Sequence, residues 1–274
     1  MIAVHHRTAT VGGHRVFYRE AGQRDAPVVV LLHGFPTSSR MFRHLIPALA
    51  DRYHLLAPDH LGFGHSDAPP SEEFDYTFDA LADVAEDLLD QLGVSRYAMY
   101  VQDYGAPIGW RLALRRPHVV KAIITQSGNA YDEGFVAEFW RAVWAYADGP
   151  GPETEAAVRG AFELEAIRWQ YLNGVSQPDV VDPDTWVFDH AQLQREGNDG
   201  VQLALFRDYA TNPPLYPAVH EYFRTTQVPL LAIWGHAEIQ LLDGGHFLLE
   251  SELDTAVGYI RGFLGRTLSA TTSQ

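Results

Sequence analysis

The chain has 274 residues, 46% of them apolar, enough for one large domain or for a domain carrying an insertion. Twenty Lys plus Arg against 35 Asp plus Glu leave a net charge of −15, a field that repels phosphate backbones and anionic lipid and so excludes nucleic acid as the expected partner. There is no cysteine, which removes disulfides, thiolate catalysis and Cys-ligated metals. The start, "MIAVHHRTAT", lacks an apolar leader, and the longest apolar run, "APVVVLL", is too short to span a bilayer, so a cytoplasmic location with no membrane partner is expected. Residues 8–22, around Gly12 and Gly13, read as a β-hairpin.

The pattern then changes. "PVVVLLHG", "HLLAPD", "YAMYVQD" and "VVKAIITQSG" are short apolar runs that end in polar or glycine residues, as strands buried on both faces of a parallel sheet do. Between them the clearest helix covers residues 77–92, where Leu81, Val84, Ala85, Leu88, Leu89 and Leu92 recur at helical spacing and Gly93 stands as a stop. The alternation gives an α/β fold, with catalytic residues expected at the carboxyl ends of the strands. From Tyr131 to Tyr216 the strand signal disappears and helical, aromatic-rich sequence replaces it before "VPLLAIWG" resumes the sheet. The expected organisation is a core of residues 1–130 and 217–274 with a helical cap, 131–216, inserted in it. Trp140, Trp144, Trp169 and Trp186 lie in that insertion, suited to an apolar pocket or to the cap's own core.

Three stretches point to chemistry. In "LLHGFPTSS" a strand ends at His33-Gly34-Phe35-Pro36, where glycine lets the backbone present the Phe35 N–H to a reacting centre. In "VQDYGAPIG", Asp103 follows a strand and precedes Gly105 by two residues, the form of a sharp strand-to-helix elbow, with the Tyr104 N–H at the helix start. In "LLDGGHFLLE", His246 follows two glycines and precedes a C-terminal amphipathic helix. Each has a structural alternative: a helix cap, a satisfied loop histidine, a tight turn. Their occurrence together, in that order, favours catalysis.

"HGFPTSS", "APDHLGFGHSD", "VQDYGAPIGWRLA" and "GGHFLLE" together resemble the α/β-hydrolases of the epoxide hydrolase and haloalkane dehalogenase group, over nearly the whole length. The serine members carry GxSxG, which is absent here. The resemblance implies an α/β-hydrolase fold, Asp103 as nucleophile, His246 as base and the Phe35 and Tyr104 N–H groups as the oxyanion hole. A carboxylate attacking saturated carbon yields an ester that His246-activated water can cleave. Dehalogenases of the group usually cradle halide with N–H side chains, yet the corresponding positions hold Tyr104 and Phe35. Epoxide hydrolases protonate the opening oxygen with cap tyrosines, and Tyr209 matches one of them. Its partner is open, with Trp144 at the earlier position and Tyr131 and Tyr146 nearby. Epoxide hydrolysis is therefore expected ahead of haloalkane or haloacid dehalogenation, and an inactive protein that binds an apolar ligand is the alternative from another class. The expected partners are a small apolar epoxide or haloalkane and water, met by a pocket that includes His33, Pro36, Tyr131, Trp140 and Trp144. No cofactor and no metal is expected, since neither His5-His6 nor His60 and His65 forms a ligand set.

One part of the pattern breaks. The histidine's acid usually follows the strand matching "LLAIWG", where Glu238 is the nearest carboxylate. "EIQLLDGGH" also reads as the next strand, which leaves only His236 and Ala237 to connect parallel neighbours, and a parallel crossover needs roughly a dozen residues. Either a helix-length segment with the acid is omitted or the end of the sheet is rearranged, with Glu238, Asp132 or Glu133 as substitutes. An omitted segment predicts an intact mass above the 30.6 kDa of these residues.

Overall fold

The computed structural model describes residues 2–235, 241–242 and 245–268. Its frame is an eight-stranded sheet in the order β1-β2-β4-β3-β5-β6-β7-β8, made of β1 His5–Val11, β2 His14–Ala21, β3 Val28–Leu32, β4 His54–Pro58, β5 Tyr97–Gln102, β6 Val120–Gln126, β7 Leu230–Gly235 and β8 Leu241–Leu242. The first two form the expected hairpin, turning at Gly12 and Gly13 with φ of 56° and 89°, the left-handed pair that a tight two-residue turn requires. β2 meets β4 antiparallel, and every pairing from β4 to β8 is parallel. All residues of β4 and β5 are buried, which explains why they read as continuous apolar runs rather than as alternating ones.

The helices are α1 Leu45–Leu49, α2 Phe78–Gln91, α3 Gly105–Arg115, α4 Ala137–Asp148, α5 Pro152–Arg159, α6 Leu164–Leu172, α7 Asp184–Leu193, α8 Asn198–Asp208, α9 Tyr216–Thr226 and α10 Leu253–Leu268. The α2 helix occupies the span that its periodicity gives. The Thr77 hydroxyl accepts the Ala80 N–H at 3.1 Å to start it, and Gly93, at φ 72°, ends it. Leu81, Ala85, Leu88 and Leu89 are its buried face.

Between β6 and β7 the described chain is helical throughout, with α4 to α9 and no strand. α9 turns back to the sheet, where Phe223 meets Trp110 of α3 edge-on at 5.6 Å. The end of the sheet departs from the regular plan. β8 pairs in parallel with β7, Trp234 opposite Leu241 and Gly235 opposite Leu242, with only residues 236–240 between them in sequence. Glu238 lies outside the described residues. Downstream, Arg43 binds Glu250 through two bonds of 2.7 and 2.6 Å, tying the segment after His246 to the loop after β3.

Candidate active site

Asp103 is the residue immediately after β5 and sits at φ 48°, one of three non-glycine residues at positive φ among those described. That conformation costs about 1 kcal/mol or more for a residue with a Cβ, and Asp bears it better than most. Tight packing around the turn holds it there. A Cβ on Gly105 would fall 2.2 Å from the Leu32 carbonyl oxygen, and one on Gly34 would fall 2.3 Å from the Asp103 Cβ, so both positions require glycine. The ends of β3 and β5 are thus brought together, as parallel neighbours that each carry a loop at the same edge of the sheet.

The Asp103 carboxylate is held from two sides. Its Oδ1 accepts the Phe35 N–H at 2.8 Å and the Tyr104 N–H at 2.7 Å. Burial raises its pKa from the ordinary carboxylate value, against the opposing pull of His246 and of these two donors. Two N–H groups converging on one oxygen form a ready site for negative charge. Behind the Phe35 loop stands an interlocked pair of histidines: the His60 N–H donates to His33 Nε2 at 3.1 Å, and His60 Nε2 lies 3.0 Å from the His33 carbonyl oxygen. Both rings are buried, and burial pushes His33 down to about 4. The Asp59 carboxylate accepts the Ser39 and His65 N–H groups, each at 2.7 Å, joining the turn after β4 to the same loop.

His246 reaches the other carboxylate oxygen, its Nε2 3.9 Å from Asp103 Oδ2. The Gln102 side-chain nitrogen is 2.9 Å from the same Nε2, and Gln126 donates to the His246 carbonyl oxygen at 2.7 Å. Burial lowers the ring's pKa, with Asp103 acting in the opposite direction. Among the described residues, Asp103 supplies the only carboxylate within 4 Å of that ring. Asp132 and Glu133 are exposed in a short turn before α4, and neither pairs with the histidine.

Tyr209 lies buried against this centre, its ring 5.8 Å from that of Tyr104 and 4.4 Å from Trp140, with its phenol bonded to the Asn129 side chain. Burial, with the Asp103 charge adding to it, keeps the phenol protonated well above the ordinary tyrosine range. The flanking chain is pinned to the core. Asp208 accepts the Phe78 N–H at 2.7 Å, and the buried Arg111 binds Asn212 at 2.7 Å and Thr211 at 3.0 Å. Trp144 packs beside Trp140 at 5.2 Å, and both surround Phe135.

Three expected placements change. Tyr131 is 53% exposed and stacks on His220 at 4.1 Å, so its ring belongs to the surface, not to the pocket. Tyr146 is one of the two buried residues of α4, in the charge environment of Glu155, Arg159 and Arg207 and not of Asp103. His33 is fully buried beneath the loop against His60 and Phe63, its Nε2 accepting the His60 N–H, while Pro36 follows Phe35 through a cis peptide on the loop itself. Conversely, Phe206 carries no signal of its role in the sequence. Its ring lies 5.4 Å from Phe35 and also lines a cavity of about 280 Å³ with Phe139, Val143, Val158 and Trp169. Gln102 and the Tyr104 phenol were legible only as polar residues beside the elbow.

Beneath the helical segment, Asp189 of α7 accepts the Tyr171 hydroxyl at 2.5 Å and bonds Thr37 of the Phe35 loop. Burial raises its pKa to about 7, above the value in an unfolded chain. A folded-state pKa raised in this way contributes stability that is complete below about pH 4 and is lost as pH climbs through 7. Wild-type unfolding midpoints should therefore fall between about pH 4 and 7, and Asp189→Asn should flatten that fall and gain on the order of 2 kcal/mol at pH 8, read by thermal melts across the range.

Residues 27–147 match the family model of the alpha/beta hydrolase fold. An uncharacterized hydrolase of Saccharomyces cerevisiae is 38% identical over 275 aligned positions that take in 92% of this chain and 94% of the yeast protein. This chain belongs to the α/β-hydrolase family. A haloalkane dehalogenase of Bradyrhizobium diazoefficiens is 38% identical to this α/β-hydrolase over 122 residues, 44% of this chain and 38% of that protein. Epoxide hydrolase A of Mycobacterium tuberculosis is 40% identical over 122 residues, 44% of this chain and 38% of its own length. Among solved structures, a loop variant of a haloalkane dehalogenase from Bradyrhizobium elkanii superposes with a TM-score of 0.79 at 26% identity, covering 100% of this chain and 99% of that one. The alignment with the yeast hydrolase is longer than the part of this chain that it covers, so the relative carries residues with no counterpart in this α/β-hydrolase. An omitted crossover would leave a difference of this kind.

Proposed function

We propose that this α/β-hydrolase opens small apolar epoxides to diols by way of an ester on Asp103. The observation that carries the reading is the Asp103 carboxylate, fixed on one oxygen by the Phe35 and Tyr104 N–H groups and approached on the other by His246. A free Asp103 oxygen attacks one epoxide carbon, the carbon–oxygen bond breaks, and the emerging alkoxide takes a proton from a phenol. His246 then removes a proton from water as the water oxygen bonds to the Asp103 Cγ. The two N–H groups hold the resulting oxyanion until the bond from Cγ to the substrate oxygen breaks; that oxygen takes the proton of the newly added hydroxyl, which returns Asp103 to a carboxylate and releases the diol. The ring proton finally restores the phenol.

Two features favour oxygen over halide as the leaving group. Tyr209 is a neutral phenol in the electrostatic reach of Asp103, and Tyr104 is a second, its hydroxyl buried without a hydrogen-bond partner among the described residues. The indole N–H of Trp110 in α3 is already bound, donating to the Asn129 carbonyl at 2.8 Å. Phe35, Phe206, Trp140 and Trp144 supply the apolar surface that such a substrate needs, and the helical segment 131–216 acts as the cap that excludes water.

The test is a panel of styrene oxide, aliphatic epoxides and 1-haloalkanes with product identification. Diol from the epoxides supports the proposal, free halide in preference to diol would reassign the enzyme as a dehalogenase, and no product from any of them would leave ligand binding as the function. Tyr209→Phe should slow epoxide opening by about 100-fold while sparing hydrolysis of a preformed ester, as resolved by single-turnover kinetics.

A further inference from the structure

We propose that Gln102 is a positioning residue for His246, an amide that bonds the ring at Nε2 in both protonation states. The proposal rests on the reading of Asp103 and His246 above. Gln102 is fully buried at the end of β5, and its side-chain nitrogen lies 2.9 Å from His246 Nε2. An amide nitrogen only donates, so in this arrangement the histidine is neutral, with its lone pair on Nε2. The Gln102 Oε1 is buried with no hydrogen-bond partner among the described residues. A half-turn of the amide exchanges nitrogen and oxygen at the same place, and Oε1 then accepts from a protonated Nε2.

The chemistry calls for such a partner at one moment. Asp103, 3.9 Å away, is the charged group paired with this ring, and it loses its charge when it becomes an ester. The imidazolium forms only after that, while the ester is being hydrolysed. Among the described residues, Gln102 Oε1 is then the acceptor within reach. The other described neighbours do not serve. Gln126 is committed to the His246 carbonyl and to the Tyr100 hydroxyl, and Phe247 separates the histidine from Tyr171, whose hydroxyl goes to Asp189. Because the backbone of His246 is held independently by Gln126, changing Gln102 alters the ring's partner without releasing the loop.

Two variants of similar size test this, Gln102→Leu and Gln102→Glu. Nitrogen-15 NMR of the histidine rings should show His246 in wild type as a neutral Nδ1–H tautomer, in Gln102→Leu as a mixture of tautomers, and in Gln102→Glu with its pKa raised by about one unit or more. In single turnovers, Gln102→Leu should slow ester hydrolysis about 10- to 100-fold and change ester formation less than about threefold, while Gln102→Glu restores hydrolysis with its rising limb moved to higher pH. A His246 pKa and tautomer unchanged in both variants, or an equal loss in both chemical steps, would overturn the proposal. Should wild type form no ester at all, the reading of Asp103 fails, and the NMR titration still decides the role of Gln102.

Discussion

Asp103→Asn should lower epoxide turnover by at least about 10⁴-fold and leave the protein as stable as wild type, or more so, at pH 7. The two halves of this expectation have one cause. Asn is the best substitute at φ 48°, since it tolerates the left-handed region and keeps the volume that meets Gly34, so the elbow survives. Its amide oxygen is a poor nucleophile, so no ester forms. The Asp103 pKa is raised by burial, which means that the folded state holds the ionised carboxylate at a cost. Its stability contribution is present at low pH and is lost as pH rises through the raised value, so removing the charge recovers that loss at neutral pH. Activity that disappears while the melting temperature holds or rises identifies a residue kept for chemistry. A parallel drop in both would mean that Asp103 serves as the cap of α3 and nothing more.

His246→Gln should divide the reaction in two. Ester formation needs the Asp103 oxygen and a phenol, not the imidazole, and should continue; hydrolysis needs a base and should slow by about 10³-fold or more. The alkylated enzyme then accumulates, and mass spectrometry of the Asp103 peptide should show the mass of substrate added to it in near-stoichiometric amount. An unmodified peptide across epoxides and haloalkanes would remove the covalent mechanism. The pH dependence follows in wild type. Burial lowers the His246 pKa below the usual 6.5, and only the neutral ring accepts a proton, so ester hydrolysis should reach half its maximum below pH 6.5 and stay level above it.

Much of this is legible in the sequence, for reasons that can be traced to particular residues. β5 is buried throughout and β6 at all but Lys121, so each reads as a nearly continuous apolar run ending in polar residues, and a parallel sheet places the ends of such runs at one edge. The α2 helix has one buried face and could be read from its period. Asp103 and Gly105 were visible because a tight elbow forbids a side chain at the second position, here by the 2.2 Å approach to Leu32. The helical segment from α4 to α8 was legible as helix and as aromatic, but not residue by residue, since an aromatic ring on a helix fits a surface, a core or a pocket equally well by composition. Tyr131 and Tyr209 differ in nothing local that would send one to the surface against His220 and the other beneath Trp140.

The sequence by itself determined the order of strands and helices, the elbow and the chemical types gathered at its edge, because backbone geometry and burial act over a few neighbouring residues. The tertiary structure alone decided that Oδ1 of Asp103 receives two N–H bonds, that His246 meets Gln102, and that Phe206 joins Phe35. Those contacts join residues as much as 171 positions apart, and no local pattern encodes a distance between segments that only the packed core brings together.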